Sequence, residues 1–244
     1  MKSLALVLIL MLSGCTAVYD KALFEETLRY AEQGNPEAQY LVGMMYNNGM
    51  GVRQDPRIAL EWFRKATALG DPLGAFKLGC YYGGQFRVVE IDMEKSFEYH
   101  LIAAKAGYAL AQSTVGDMYF AQEQFDDAAT WWKRAAEQGY PEALWRLGGL
   151  YQSGRGHIPQ DHSLAYAYLK LARSAMEAHR DNPAALKRLD QMLDELTRTM
   201  SDKERENAEQ VVVSWKPQPT VLTMRAKEAP TITVARILRD SRNR

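Results

Sequence analysis

Ile58, Trp62, Phe63 and Ala66 stand four, one and three residues apart, a spacing that gathers them on one side of an α-helix. Trp131, Trp132, Ala135 and Ala136 draw the same stripe further along, and Leu186, Leu189, Leu193 and Leu196 draw a third. Ala, Leu, Glu, Gln, Lys and Arg fill much of the remainder, and proline is sparse until the end of the chain, so the pattern predicts mostly helix.

The stripes belong to an internal repeat. AQYLVGMMY (38–46), GAFKLGCYY (74–82), AQSTVGDMY (111–119) and ALWRLGGLY (143–151) share a central glycine with tyrosine three residues on. These glycines, Gly43, Gly79, Gly116 and Gly148, are 36, 37 and 32 residues apart. A second set, Gly34, Gly70, Gly107 and Gly139, closes segments such as AEQG at the same intervals. Two markers with one irregular spacing define a unit of two helices. Asn35-Pro36 and Asp71-Pro72 supply a capping oxygen and a first-turn proline for the unit's first helix, A. Asp55-Pro56, Asp92 and Asp161 open the second helix, B, and the closing glycines end it. The central glycine lies inside helix A, where it costs about 1 kcal/mol relative to alanine, so its recurrence predicts a close helix contact.

Gly49-Met50-Gly51 and Gly154-Arg155-Gly156 each begin six residues after a central glycine, between helices A and B. A phosphate-binding loop needs a preceding strand or a GK[ST] ending, and neither is present, so these glycines are read as turns with positive φ. The third unit lacks the pair, which accounts for its shorter length.

Ala38, Gly43, Tyr46, Gly49, Gly51, Val52, Asp55, Ala59, Trp62, Ala66 and Gly70 together resemble the Sel-1-like repeat, a relative of the tetratricopeptide repeat. The resemblance covers roughly 20–215 and implies an all-α fold, a right-handed α/α superhelical solenoid of helix pairs, with little said about activity. The expected organisation is a signal segment at 1–15 and a short tether with a half-repeat helix at 16–36. Four repeats follow at 37–72, 73–109, 110–141 and 142–182, then capping helices at 183–215. Ser201-Asp202-Lys203-Glu204 reads as a capping box in that cap. Pro217, Pro219 and Pro230 break the last segment, 216–244, which is expected as a flexible tail; Val234, Ile237 and Leu238 among its arginines also suit a small amphipathic helix.

Lys2 and the apolar run 4–12 form a secretory signal too short to span a bilayer as a helix. Ser13-Gly14-Cys15 resembles the bacterial lipobox, which implies lipidation of Cys15 and, with Thr16 following, an anchor at the outer membrane facing the periplasm. Cys80 is then the one remaining thiol, so no intramolecular disulfide is expected. Seven basic residues lie beyond 215 against Glu228 and Asp240, which leaves the 16–215 body mildly acidic and the tail basic. An acidic body offers no groove for nucleic acid, although Trp62, Trp131, Trp132 and Trp145 recur at repeat phase; they are read mainly as core.

Catalytic and metal chemistry are not indicated. His100, His157, His162 and His179 lack metal-ligand spacing, though His157 and His162 flank one loop; no metal or cofactor is expected. Cys80 has no histidine at a recurring offset and is read as a spectator thiol. Some Sel-1-like proteins with a disulfide in each repeat act on β-lactams, but this chain lacks that cysteine pattern. A partner face is read instead from the positions that vary between repeats. They are Leu41, Lys77, Thr114 and Arg146, two before the central glycine, and Met44, Cys80 and Asp117 just after it; Asn47 and Gln152 extend the face. In helical solenoids this side of helix A lines the concave surface where partners bind. The expected role is a membrane-anchored periplasmic scaffold or adaptor for a protein partner. The alternatives are an immunity protein against a type VI secreted phospholipase effector and a β-lactamase-like hydrolase.

Overall fold

The structure, a computed structural model, describes residues 16–178 and 183–241. Among them the secondary structure is helical, with no strand. The helices are α1 (Thr16–Glu32), α2 (Pro36–Asn48), α3 (Pro56–Ala68), α4 (Pro72–Tyr82), α5 (Met93–Lys105), α6 (Ala109–Ala121) and α7 (Phe125–Glu137). After these come α8 (Pro141–Ser153), α9 (His162–Ala178), α10 (Pro183–Thr199), α11 (Asp202–Ser214), α12 (Val221–Lys227) and α13 (Pro230–Ser241). The all-α class of stacked helix pairs is thus the one observed. The chain divides into two compact units, one running through Ala103 and resuming at Arg225, the other from Ala104 to Met224.

Local chemistry sets the helix ends. The side chains of Asn35, Asp55 and Asp71 accept hydrogen bonds from the free amides of α2, α3 and α4, and proline occupies the first turn of each. Ser201 and Glu204 form the capping box of α11. Gly34, Gly70, Gly107 and Gly139 all have φ between 80° and 95°, where a side chain would be strained. In the third repeat Glu123 takes the left-handed position, φ 60°, that glycine supplies in the first and fourth.

Each central glycine seats a helix-B side chain. A Cβ on Gly43 would stand 2.6 Å from the Phe63 ring, one on Gly79 2.7 Å from His100, one on Gly116 2.5 Å from Trp132, and one on Gly148 2.6 Å from Leu169. The cost of glycine inside helix A is therefore offset by burial of a large side chain from helix B, and Phe63, Trp132 and Leu169 are almost wholly buried. Two A helices also share a side-chain tie: Gln39 and Gln112, each four residues before its glycine, donate to Ala31 O and Ala104 O at 3.1 and 3.2 Å.

The segment expected as a flexible tail is instead ordered into α12 and α13. Its first part docks in the second unit: Gln218 N donates to Glu137 O at 2.8 Å, and Thr220 and Thr223 hydroxyls donate to Gly107 O. Gln138 ties this together, donating to Gly107 O and Gln112 Oε1 while its own Oε1 accepts from Thr223. The remainder docks in the first unit, burying Val234 and Ile237 with Phe24, Leu41, Val42 and Met45. Prolines end the preceding helix without preventing docking, because the segment's basic side chains find carboxylates on the acidic body.

Candidate functional site

The second unit carries a groove of about 490 Å³ on the exposed side of its A helices. Thr114 and Asp117 project from α6, Trp145 and Arg146 from α8, and Arg188 and Met192 from α10. Helical periodicity puts Thr114 and Asp117, three apart, on one face of α6, and repeat phase puts Arg146 at the corresponding place on α8. Arg146 Nε lies 3.1 Å from Asp117 Oδ1, and the Trp132 indole donates to the same oxygen at 3.1 Å. Burial pushes the Asp117 carboxyl up, while Arg146 and the indole pull it down. Tyr140 is pushed up by burial and by the nearby Glu142.

Two further guanidiniums at the groove have no carboxylate partner among the described residues. Arg155 lies over the Phe125 ring at 5.7 Å, and Arg188 over the Trp145 ring at 5.9 Å. Arg146, Arg155 and Arg188 against Asp117 and Glu142 leave a positive excess above a floor that includes Trp145, Leu110 and Leu150. Trp145, read from sequence as core, is only partly buried and lines the groove. Sequence reasoning missed Arg188 and Arg155 because they lie outside the A helices; the signal available was basic residues flanking the last two repeats.

The other residues of the expected partner face have different fates. Leu41 is buried beneath the chain's own C-terminal segment, so it is core. Asn47 is 5% exposed and its Oδ1 accepts from the Tyr81 hydroxyl at 2.9 Å, which makes it an internal tie between repeats and removes it from the face. Met44 is half-buried at a smaller cavity in the first unit. Lys77 is half-buried on α4; Cys80 lies nearby, its thiol pushed up by burial against the opposing pull of Lys77. Such a thiol is a poor nucleophile. Gln152 is half-buried, with its carbonyl accepting from Gln160, and does not line the groove. The structure thus brings together Thr114, Asp117 and Arg146 of the expected set.

His157 and His162 go to separate carboxylates, Asp126 at 2.8 Å and Glu204 at 3.7 Å, so they do not converge on a shared ligand position. No cluster of three or more metal-binding side chains occurs among the described residues. Cys15 and His179 lie outside the described residues, and no described helix is long and apolar enough to cross a membrane.

Comparison with known proteins agrees with the helix-pair arrangement. The Sel1 repeat model matches residues 36–71, 72–108, 110–140 and 141–175. A Sel1 repeat protein from Oxalobacter formigenes is 31% identical, with TM-score 0.60 over 71% of this chain and 49% of its own. The protective antigen c5321 of uropathogenic Escherichia coli, which displays an SLR fold, is 22% identical, with TM-score 0.59 over 91% of this chain and 51% of its own. An uncharacterized protein of Neisseria meningitidis serogroup B, NMB1327, is 29% identical over 64% of this chain, a match covering 33% of that relative. The chain therefore spans about a third of the length of that relative and about half of each solved chain.

Proposed function

Since the chain belongs to the Sel1 repeat family, whose stacked helix pairs leave one side of each A helix free for partners, we propose that it is a protein-interaction scaffold. In this reading lipid on Cys15 holds it at the bacterial envelope, with the body in the periplasm beneath the outer membrane, and a protein partner docks in the groove of the third and fourth repeats. The groove carries the reading: uncommitted guanidiniums of Arg155 and Arg188 beside an aromatic floor suit a segment that brings carboxylates and apolar side chains. No catalytic step is assigned. Burial raises the Cys80 thiol pKa and lowers the basicity of His100, so neither is poised as a nucleophile or base.

A pull-down from detergent-solubilised envelope tests the groove. Wild-type chain is expected to retain a protein that the Arg146→Glu, Arg188→Glu double variant recovers about tenfold less, as loss of roughly 1.4 kcal/mol would produce. Equal recovery refutes the groove, and the identity of the recovered protein separates an adaptor from an immunity protein. The anchor has its own test. Cells fed labelled palmitate should transfer label to the wild-type chain and not to Cys15→Ser, which should leave the membrane fraction; membrane retention of an unlabelled Cys15→Ser chain would sink the lipid anchor.

A further inference from the structure

The first unit already has an occupant on its A-helix face, and the way that occupant is held defines the chemistry the face accepts. Glu37, in the first turn of α2, receives Arg236 on both carboxylate oxygens, one of them at 2.8 Å. Arg225 Nε stands 3.5 Å from Glu37, and Arg225 Nη2 reaches Asp71 at 2.5 Å. Asp71 is 4% exposed, so without a cation its buried charge would be left with the α4 amides alone. The planar guanidinium, with donors in a fixed fork, matches a two-oxygen acceptor such as Glu37 better than an ammonium does. Beside the Arg236 contact, Val234 and Ile237 of the same helix enter the apolar cluster of Phe24, Leu41 and Met45. The face therefore reads arginine and an apolar helical edge together.

The resident segment does not fill the site. A cavity of about 240 Å³ remains between Met44, Met45 and Met50 on the wall and Ala226, Pro230 and Thr233 on the segment. Methionines are flexible and polarizable and repack around an added side chain. Of the segment's residues at the cavity, Ala226 and Thr233 are small, the Thr233 hydroxyl donating to Glu228 at 3.2 Å, whereas Ile232, a large apolar residue, is 57% exposed. Apolar surface available to the ligand is thus left uncovered by the segment that occupies it.

We propose that this face is a receptor for an arginine-bearing amphipathic segment, and that residues 225–241 are its resident occupant. A partner segment with arginine placed as Arg236 is, and a larger apolar side chain where Thr233 stands, displaces the resident from the site. This surface lies in the unit that does not contain the groove of the third and fourth repeats, so it stands or falls separately from that groove.

The probe is a fluorescein-labelled peptide of residues 225–241, made with the native sequence and with Thr233→Leu. Full-length chain carrying Val234→Asp and Ile237→Asp, its helicity checked by circular dichroism, is expected to bind the native peptide about tenfold more tightly than wild type does. The Thr233→Leu peptide should bind that chain about tenfold more tightly again, the effect of roughly two more buried methylene-sized groups. Should the double variant fail to fold, uniformly ¹⁵N-labelled wild type serves, because its fragments separate from the probe by mass. Excess Thr233→Leu peptide is expected to speed amide exchange across residues 230–241 of the labelled chain at least several-fold. Binding of neither peptide by either chain overturns the proposal, and so does binding of the Thr233→Leu peptide that leaves exchange of 230–241 unchanged.

Discussion

Acidification from about pH 7.5 to about pH 4.5 is expected to remove roughly 2–3 kcal/mol of stability through one imidazole. His100 fills the seat above Gly79, its ring 4.9 Å from that of Phe76, with Nδ1 buried and without a hydrogen-bond partner. Burial lowers its pKa from 6.5 to about 4. The unfolded chain takes up a proton as pH falls through 6.5, whereas the folded chain resists until about 4, so this contribution is complete above 6.5 and drains away between the two values. Asp71 and Asp117 act in the opposite direction, because burial raises their folded pKa values and protonation relieves the folded state first. The imidazole is isolated by difference. His100→Phe, which copies the ring that Phe63 places over Gly43, should flatten urea-unfolding stability across this window relative to wild type. An unchanged pH profile in the variant would remove His100 as its cause.

Gly51→Ala is expected to cost about 2–5 kcal/mol, the sum of left-handed backbone strain and overpacking. Gly51 has φ 69°, and an added Cβ would overlap the Asp20 carbonyl oxygen in α1, so the helix backbone itself would have to move. Gly49 provides the control. Its φ is 73°, but a Cβ there meets Gln54 and the Val52 carbonyl oxygen at ordinary distances of 3.5 to 3.7 Å, so Gly49→Ala should show the strain of about 1–2 kcal/mol alone. Urea midpoints of the two variants measure the difference; equal midpoints would mean that α1 yields freely.

The repeat was legible because its markers are backbone requirements. A positive φ at Gly34, Gly49 or Gly70 and a missing Cβ at Gly43 or Gly116 admit few residues, and the same letter recurs. What presses on the central glycine was not legible, since phenylalanine, histidine, tryptophan and leucine all fit one seat and share no chemistry. The partner face was legible only in part. Variation between repeats pointed to Thr114, Asp117 and Arg146, but it also marked Leu41, which varies because each A helix meets something different, here the chain's own C-terminal segment. Asn47 came from extending the helical spacing, and burial with a bond to Tyr81 overrode it.

The C-terminal segment escaped a local reading because its hold is non-local. Arg225 and Arg236 pair with Asp71 and Glu37, more than a hundred residues away in sequence, and Thr223 joins a buried amide network at Gln138. Proline punctuation and scattered threonines describe the path of that segment and carry no information about its acceptors. Its excess of positive charge over an acidic body, and the amphipathic spacing of Val234, Ile237 and Leu238 now seen in α13, were the signs in the sequence that the two would meet.

Asp117 ties the mouth of the groove to the indole seated over Gly116. One oxygen meets Arg146 at the groove and, on the inner side, the indole nitrogen of a ring that is 1% exposed over Gly116. A visiting carboxylate that draws Arg146 away leaves that oxygen with the indole as its single donor. Trp132 fluorescence would then report occupancy of the groove through the indole's own hydrogen bond.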